Sequence, residues 1–297
     1  MNMNNYNDIF NSAPDEGQNM QFSKEEYTAK KQAEREMLYE LSDGVAIDIA
    51  GDGGQFRQYL DVQTQFDRYS VVNALLILAQ KPEATRLGDF DHWKEKGGYV
   101  KKDETGIFIL EPKEYTKNDG TPGIGYNSKK VFDISQVDTR KIKITPPANF
   151  TDCQILAALI SKAPVKISGV EELPDGKGAM TDPNTGEIYV LKNMGFDDTF
   201  RSVAQELGRC EIGMITEKAP VNLSFAGYCT SYILCKKYGA DTRDFSFDAA
   251  PTVLGGLEPQ EIKQHLSIIR DAGENILSRM AKHLEPLQKA ARTQEAR

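Results

Sequence analysis

Hydrophobic and polar positions follow two rhythms along this chain, and the change of rhythm divides it. Segment 23–41 reads as a helix, opened by Ser23 with Glu26 three residues on, the spacing of a capping box. Segment 43–54, ending in Gly51-Asp52-Gly53-Gly54, reads as a loop. Helical spacing resumes over 55–79 with a break expected near Asp67, and 71–79 is apolar at nearly every position, which marks it as core. Gln80-Lys81-Pro82 ends that helix. Segment 86–111 reads as a helical turn holding Trp93, a Gly97-Gly98 turn, and strands, of which 106–110 is buried. A flexible hairpin tip at 116–126 and a return strand at 129–134 follow. Segment 141–149, with Pro146-Pro147, reads as a linker and domain boundary. Beyond it come a helix at 151–162, strands at 166–168 and 187–191, helices at 199–212 and 224–238 with Gly239 as C-cap, and one or two amphipathic helices over 259–291. The first 22 residues are polar and rich in Asn, and are expected to be disordered. The resulting class is α+β: an α/β unit at 23–144, then a mostly helical unit with a small sheet at 150–297.

Composition narrows the function. The 297 residues are 39% hydrophobic and 27% charged, the profile of a soluble protein. No apolar run reaches membrane-spanning length, and the N-terminal stretch lacks a signal-peptide core, so no membrane partner and a cytoplasmic location are expected. Cys153, Cys210, Cys229 and Cys235 have no metal or disulfide spacing, and read as buried free thiols. The formal net charge of −8 argues against a strongly basic nucleic-acid binder. The charge is uneven, however: residues 66–143 hold 14 Lys+Arg against 12 Asp+Glu, while the remainder holds 22 against 32. Only the middle segment can meet a phosphate backbone.

Single-strand binders combine cations along a groove with aromatic rings on which bases stack. Trp93, Lys94, Lys96, Tyr99, Lys101 and Lys102 interleave those types. Arg68, Tyr69 and Arg86 extend the set, and Lys129 and Lys130 flank the hairpin. From the residues alone, Trp93 serves equally as a core anchor, and Lys-Lys at a turn as a solvated tip. Gly51-Asp52-Gly53-Gly54 lacks the Lys-Ser/Thr of a phosphate loop and reads as a turn.

Segment 199–212 resembles a metalloprotease active-site helix without its ligands. The H-E-x-x-H positions read Gln205, Glu206, Leu207, Gly208 and Arg209. Gln is a poor zinc ligand and Arg a permanent cation. The strand at 187–191 precedes this helix, as in zincins. The helix after it, which in related enzymes supplies a carboxylate ligand, offers Ala226, Gly227, Tyr228 and Cys229. Gln205, Glu206 and Arg209 are therefore expected to be vestigial, with no catalysis, metal or cofactor. Glu206 reads as a structural carboxylate with Arg209 as its partner. Asp197 and Asp198 read as N-terminal charges on the helix dipole. An active enzyme would need a distant His265 or His283 to converge on Glu206.

A longer pattern covers residues 66–138: NALLIL at 73–78, QKPEAT at 80–85, HWKEKGGYVKKDETGIFILEP at 92–112 and VFDISQVD at 131–138. It resembles the N-terminal domain of the ArdC-type antirestriction family, which occurs on conjugative plasmids, phages and integrated elements. Asp103 stands where Gly is usual and Val137 where Thr is usual. The resemblance implies single-stranded DNA binding by the first unit and a zincin-like metallopeptidase second unit, whose activity is not carried over because its ligands are missing. A protein partner of the second unit is then conceivable. The competing expectation is an interaction scaffold or acidic DNA mimic that binds no DNA.

Overall fold

The computed structural model describes residues 24–117, 119–143, 148–215 and 221–295. The expected disorder of the first 22 residues, the Ser23 cap and Pro146-Pro147 lie outside them. Helix α1 is Lys24–Gly51, so the loop expected at 43–54 is largely helix. The Gly and Asp letters there suggested a break, but apolar spacing continues through Leu41, Ala46, Ile49 and Ala50, all buried. A mid-helix Gly such as Gly44 costs about 1 kcal/mol relative to Ala. Burying one large aliphatic side chain returns about 1.5–3 kcal/mol, which outweighs it.

The Gly-rich stretch makes only a short corner. Asp52 caps helix α2, Gly53–Gln65, its carboxylate accepting from Gln55 N at 2.8 Å. Gly53 is required there, because a Cβ would stand 2.6 Å from the Phe247 carbonyl oxygen. The break near Asp67 is present, and Ser70 caps helix α3, Val71–Gln80.

Two amide side chains of α3 complete a strand edge. Strands β3, Ile107–Thr116, and β4, Pro122–Asp133, form a long antiparallel hairpin in register from Ile107 opposite Val131 to Thr116 opposite Pro122. The strands therefore run through much of the segment expected as a flexible tip. On the β3 edge away from β4, Asn73 exchanges two hydrogen bonds with the Leu110 backbone at 2.8 and 2.9 Å. Gln80 does the same with Phe108 at 2.8 and 2.9 Å. Pro112, next on that edge, has no N–H to offer. The helix thus closes an edge that would otherwise recruit another strand.

Short β1, Leu87–Gly88, lies on the far side of β4, giving the order β1-β4-β3. Helix α4, Phe90–Glu95, carries Trp93. Strands β2, Tyr99–Val100, and β5, Val137–Asp138, pair as a separate ribbon. Asp103, entering the hairpin, has φ +62°. A left-handed turn explains why glycine suits that position, and Asp tolerates it better than most residues.

After the linker come helix α5, Asp152–Ile160, and strands β6, Ile167–Val170, β7, Ala179–Thr181, and β8, Ile188–Leu191. The sheet order is β6-β8-β7, with β6 parallel and β7 antiparallel to β8. Three-residue β7 is too short to show alternation in the sequence. Helices α6, Phe196–Ile215, and α7, Leu223–Tyr238, pack closely where Gly208 meets Thr230. Gly239, with φ +80°, ends α7. Short α8, Ala250–Leu254, precedes α9, Pro259–Glu295, one continuous helix with Pro286 inside it.

The largest core runs on both sides of the linker. Phe56 of α2 lies 5.4 Å from the ring of Phe225 and 5.6 Å from that of Phe247, between centroids. Arg57 donates to the carbonyls of Thr242 and Phe245, each at 3.1 Å. Tyr232 donates to Asp61 at 2.6 Å, and buried Lys263 of α9 donates to Ser42 of α1 at 2.7 Å. Cys229 and Cys235 are buried as expected, whereas Cys210 is half-buried and Cys153 exposed, because Cys153 falls on the outer face of α5.

Candidate nucleic-acid interface

The cationic and aromatic residues singled out from the sequence fall into two groups. The first surrounds the β2–β5 ribbon. Gly97 and Gly98 turn the chain from α4 into β2, and a Cβ on Gly98 would stand 2.7 Å from Ile142 Cδ1. Ile142, packed beside Trp93 and Val137, thereby pins the run Arg140-Lys141-Ile142-Lys143 against the turn. Lys141 lies beside Gly97. Tyr99, opposite Asp138, is 61% exposed, so its ring is available for stacking. Lys94, Lys96, Lys101 and Lys102 are exposed around it. Lys101 is anchored at both ends: its N–H donates to the Gln136 carbonyl at 2.9 Å and its Nζ to the Ser135 carbonyl at 2.8 Å. Arg86 joins this group, its exposed side chain carried by a backbone tied to Asp133 and Ile134.

Segments 91–103 and 138–143 hold seven Lys+Arg against four Asp+Glu. One of those acids is already occupied. The Arg140 guanidinium, with the Arg140 N–H and Lys101 in support, holds the Asp138 carboxyl down at about 2. Sequence reading missed Arg140, Lys141 and Lys143. Their signal was present as a charge run, but it stood in an apparent linker, and only β2–β5 pairing brings it to Tyr99.

The second group is Trp93, Tyr69, Lys129, Lys130 and Arg68. Trp93 is 1% exposed and donates through Nε1 to the Phe132 carbonyl at 3.0 Å. This corrects its placement as a stacking platform: the ring is enclosed by Phe132, Val137 and Ile142 and holds the ribbon from beneath. Tyr69 is half-buried, and burial pushes its phenol up. Lys129 is held by Glu111 at 2.6 Å and Asp89 at 2.9 Å, which together raise its ammonium. Neither residue presents a free ring or charge. Lys130 is exposed, with Nζ 5.3 Å over the Phe108 ring, and Arg68 is exposed in the turn between α2 and α3.

The second half places Gln205, Glu206 and Arg209 on α6. Glu206 is 5% exposed. Its Oε2 accepts from Thr181 N at 3.0 Å and Thr181 Oγ1 at 2.6 Å, which ties α6 to the free edge of β7. Its Oε1 accepts from Arg209 Nη1 at 3.0 Å. Gly227 makes room for that arginine, since a Cβ would stand 2.4 Å from Arg209 Cγ. Zinc does not fit these residues: a permanent cation already sits on the carboxylate, and Gln205 offers only an amide. His283 bonds to Ser161 at 3.0 Å instead. Among the described residues no group of three His, Cys, Asp or Glu could hold a metal ion. Asp198 pairs with Arg201, and Asp197 accepts from Asp241 N at 2.8 Å. No helix among the described residues is long and apolar enough to cross a membrane.

Residues 28–143 match the family model described as the N-terminal domain of anti-restriction factor ArdC. Solved structures similar to the chain include the metal-free and Mn(II)-bound crystal structures of the antirestriction ArdC protein from plasmid R388. Each is 15% identical with a TM-score of 0.49, over 72% of this chain and 86% and 85% of theirs. No curated protein sequence matches.

Proposed function

We propose that this protein, whose residues 28–143 match the model of the ArdC N-terminal domain, binds single-stranded DNA along the β2–β5 ribbon, as an antirestriction-type accessory protein of a mobile element. The observation that carries the reading is Tyr99, an exposed ring on the paired β2–β5 ribbon, in a segment whose Lys96, Lys101 and Lys102 are also exposed. Lys96, Lys101, Lys102 and Lys141 follow a phosphate backbone while Tyr99 stacks a base. Trp93 contributes by fixing the ribbon, not by touching DNA. The test is fluorescence anisotropy of a labelled single-stranded oligonucleotide at rising salt, with duplex as control. Affinity is expected to fall with salt through counterion release, and single strands to win over duplex. Equal affinity for duplex would remove the single-strand reading.

In this reading the second half is a pseudoenzyme and a structural support. The engagement of both Glu206 oxygens supports that role, because a general base needs an oxygen free for water. Glu206→Ala is expected to lower stability by about 1–2 kcal/mol, since the half-buried donors of Thr181 and Arg209 lose their acceptor. Single-strand affinity at a temperature where the variant is folded should be unchanged. A stable variant with altered DNA binding would contradict this assignment.

A further inference from the structure

A cleft of about 290 Å³ opens between the end of α3, the loop entering β3, and the turn before β5. Its working groups are Lys81, Glu83, Asp103, Glu104 and Thr105, with Gln136 in the wall. The one lysine of the lining, Lys81, pairs with Glu83 at 2.7 Å. The Gln136 amide is fully used: it donates to Glu104 Oε2 at 3.0 Å and to the Thr105 carbonyl at 2.7 Å, and accepts from Asp133 N at 2.9 Å. Gln136 thus fixes the Glu104 carboxylate, whose second oxygen accepts from no described residue. The cleft is therefore a concavity in which side-chain acceptors, from Glu83, Asp103 and Glu104, outnumber the donors of Lys81 and Thr105. A phosphate is excluded by three carboxylates, and an apolar group by the polar lining.

The position of the cleft indicates its occupant. Asp103 directly follows Lys101-Lys102, and the Lys101 ammonium sits on the carbonyl of Ser135, next to Gln136. A strand lying along those lysines passes the mouth of the cleft. We infer that the cleft receives one base of that strand and selects bases carrying an exocyclic amino group, with Glu104 and Glu83 as the accepting residues. This rests on the single-strand reading above. Cytosine offers an N4 amino group to a carboxylate, whereas thymine presents the O4 acceptor at the same place and leaves the carboxylate facing a lone pair.

The test compares oligodeoxycytidine with oligodeoxythymidine of equal length at neutral pH, by competition against a labelled mixed-sequence strand. The two bases share ring size, so stacking on Tyr99 contributes similarly. The wild type is expected to prefer cytidine by about tenfold. Glu104→Gln adds a donor at the same volume and should reduce that preference to near unity without weakening thymidine binding. Glu83→Gln, which disturbs only an exposed pair, should narrow it partially. Melting temperatures of both variants establish that they are folded. Equal wild-type affinities, or a preference unchanged in both variants, would overturn the pocket while leaving the single-strand reading intact. Failure to bind either homopolymer would overturn both.

Discussion

Replacing Asp133 by alanine is expected to cost about 3 kcal/mol of folding stability at neutral pH. Asp133 is 1% exposed at the end of β4. Its Oδ1 accepts from Thr85 N at 2.7 Å and Arg86 N at 2.9 Å, and its Oδ2 from Ser135 N at 2.9 Å. One carboxylate therefore joins the segment after α3, the end of the hairpin and the turn into the ribbon. Burial works to raise its pKa, but the N–H donors of Arg86, Ser135 and Thr85 outweigh it and hold the group below its ordinary value. A depressed folded-state pKa contributes stability that is complete above the unfolded value, near 3.9, and is lost as pH falls through the folded value. The stability gap between wild type and Asp133→Asn should accordingly be constant from neutral pH to about 5 and shrink below about 4. Urea unfolding at several pH values measures this. A neutral-pH loss under about 1 kcal/mol would mean that the three amides find other acceptors.

The second large effect concerns binding. Tyr99→Ala is expected to weaken single-strand binding by about 1–3 kcal/mol, the range for loss of one stacked base. Lys101→Ala with Lys102→Ala removes two cations and should flatten the slope of log affinity against log salt by about 1.4. The two results differ in kind: the tyrosine variant keeps the wild-type slope, and the lysine variant does not. Lys101 also anchors the ribbon through Ser135, so the double variant is compared by melting before it is titrated. An unchanged slope in a folded double variant would remove the ribbon from the binding surface.

Local pattern revealed much of this molecule. The apolar run of α3, the buried strand at 107–110, the paired helices α6 and α7 and the Glu206–Arg209 pair all follow from spacing and residue type. The errors arose where distant packing overrides local letters. Gly44 and Gly51 suggested a loop, yet the rest of the core holds that stretch of α1 helical. The hairpin reads as a tip because Gly120, Gly123 and Gly125 dominate it, but the Tyr115 ring packs against Gly123 and keeps the strands paired. Trp93 looks like a stacking ring in a lysine-rich segment. Its burial depends on Gly88 and Phe132, which are close only once β1 pairs with β4. Lys141 was invisible for the converse reason, being about forty residues from the partners that the ribbon gives it.

The aromatic cluster between α2 and α7 has a practical consequence for anyone dividing the chain into expressible pieces. A fragment ending at the linker would present Phe56 and Tyr59 to water, and would strip Arg57 of the two carbonyls it donates to. Such a piece would be prone to self-association, and its failure to bind DNA would say nothing about the ribbon. Helix α7 and the segment carrying Phe245 and Phe247 thus form a wall that the other half cannot do without.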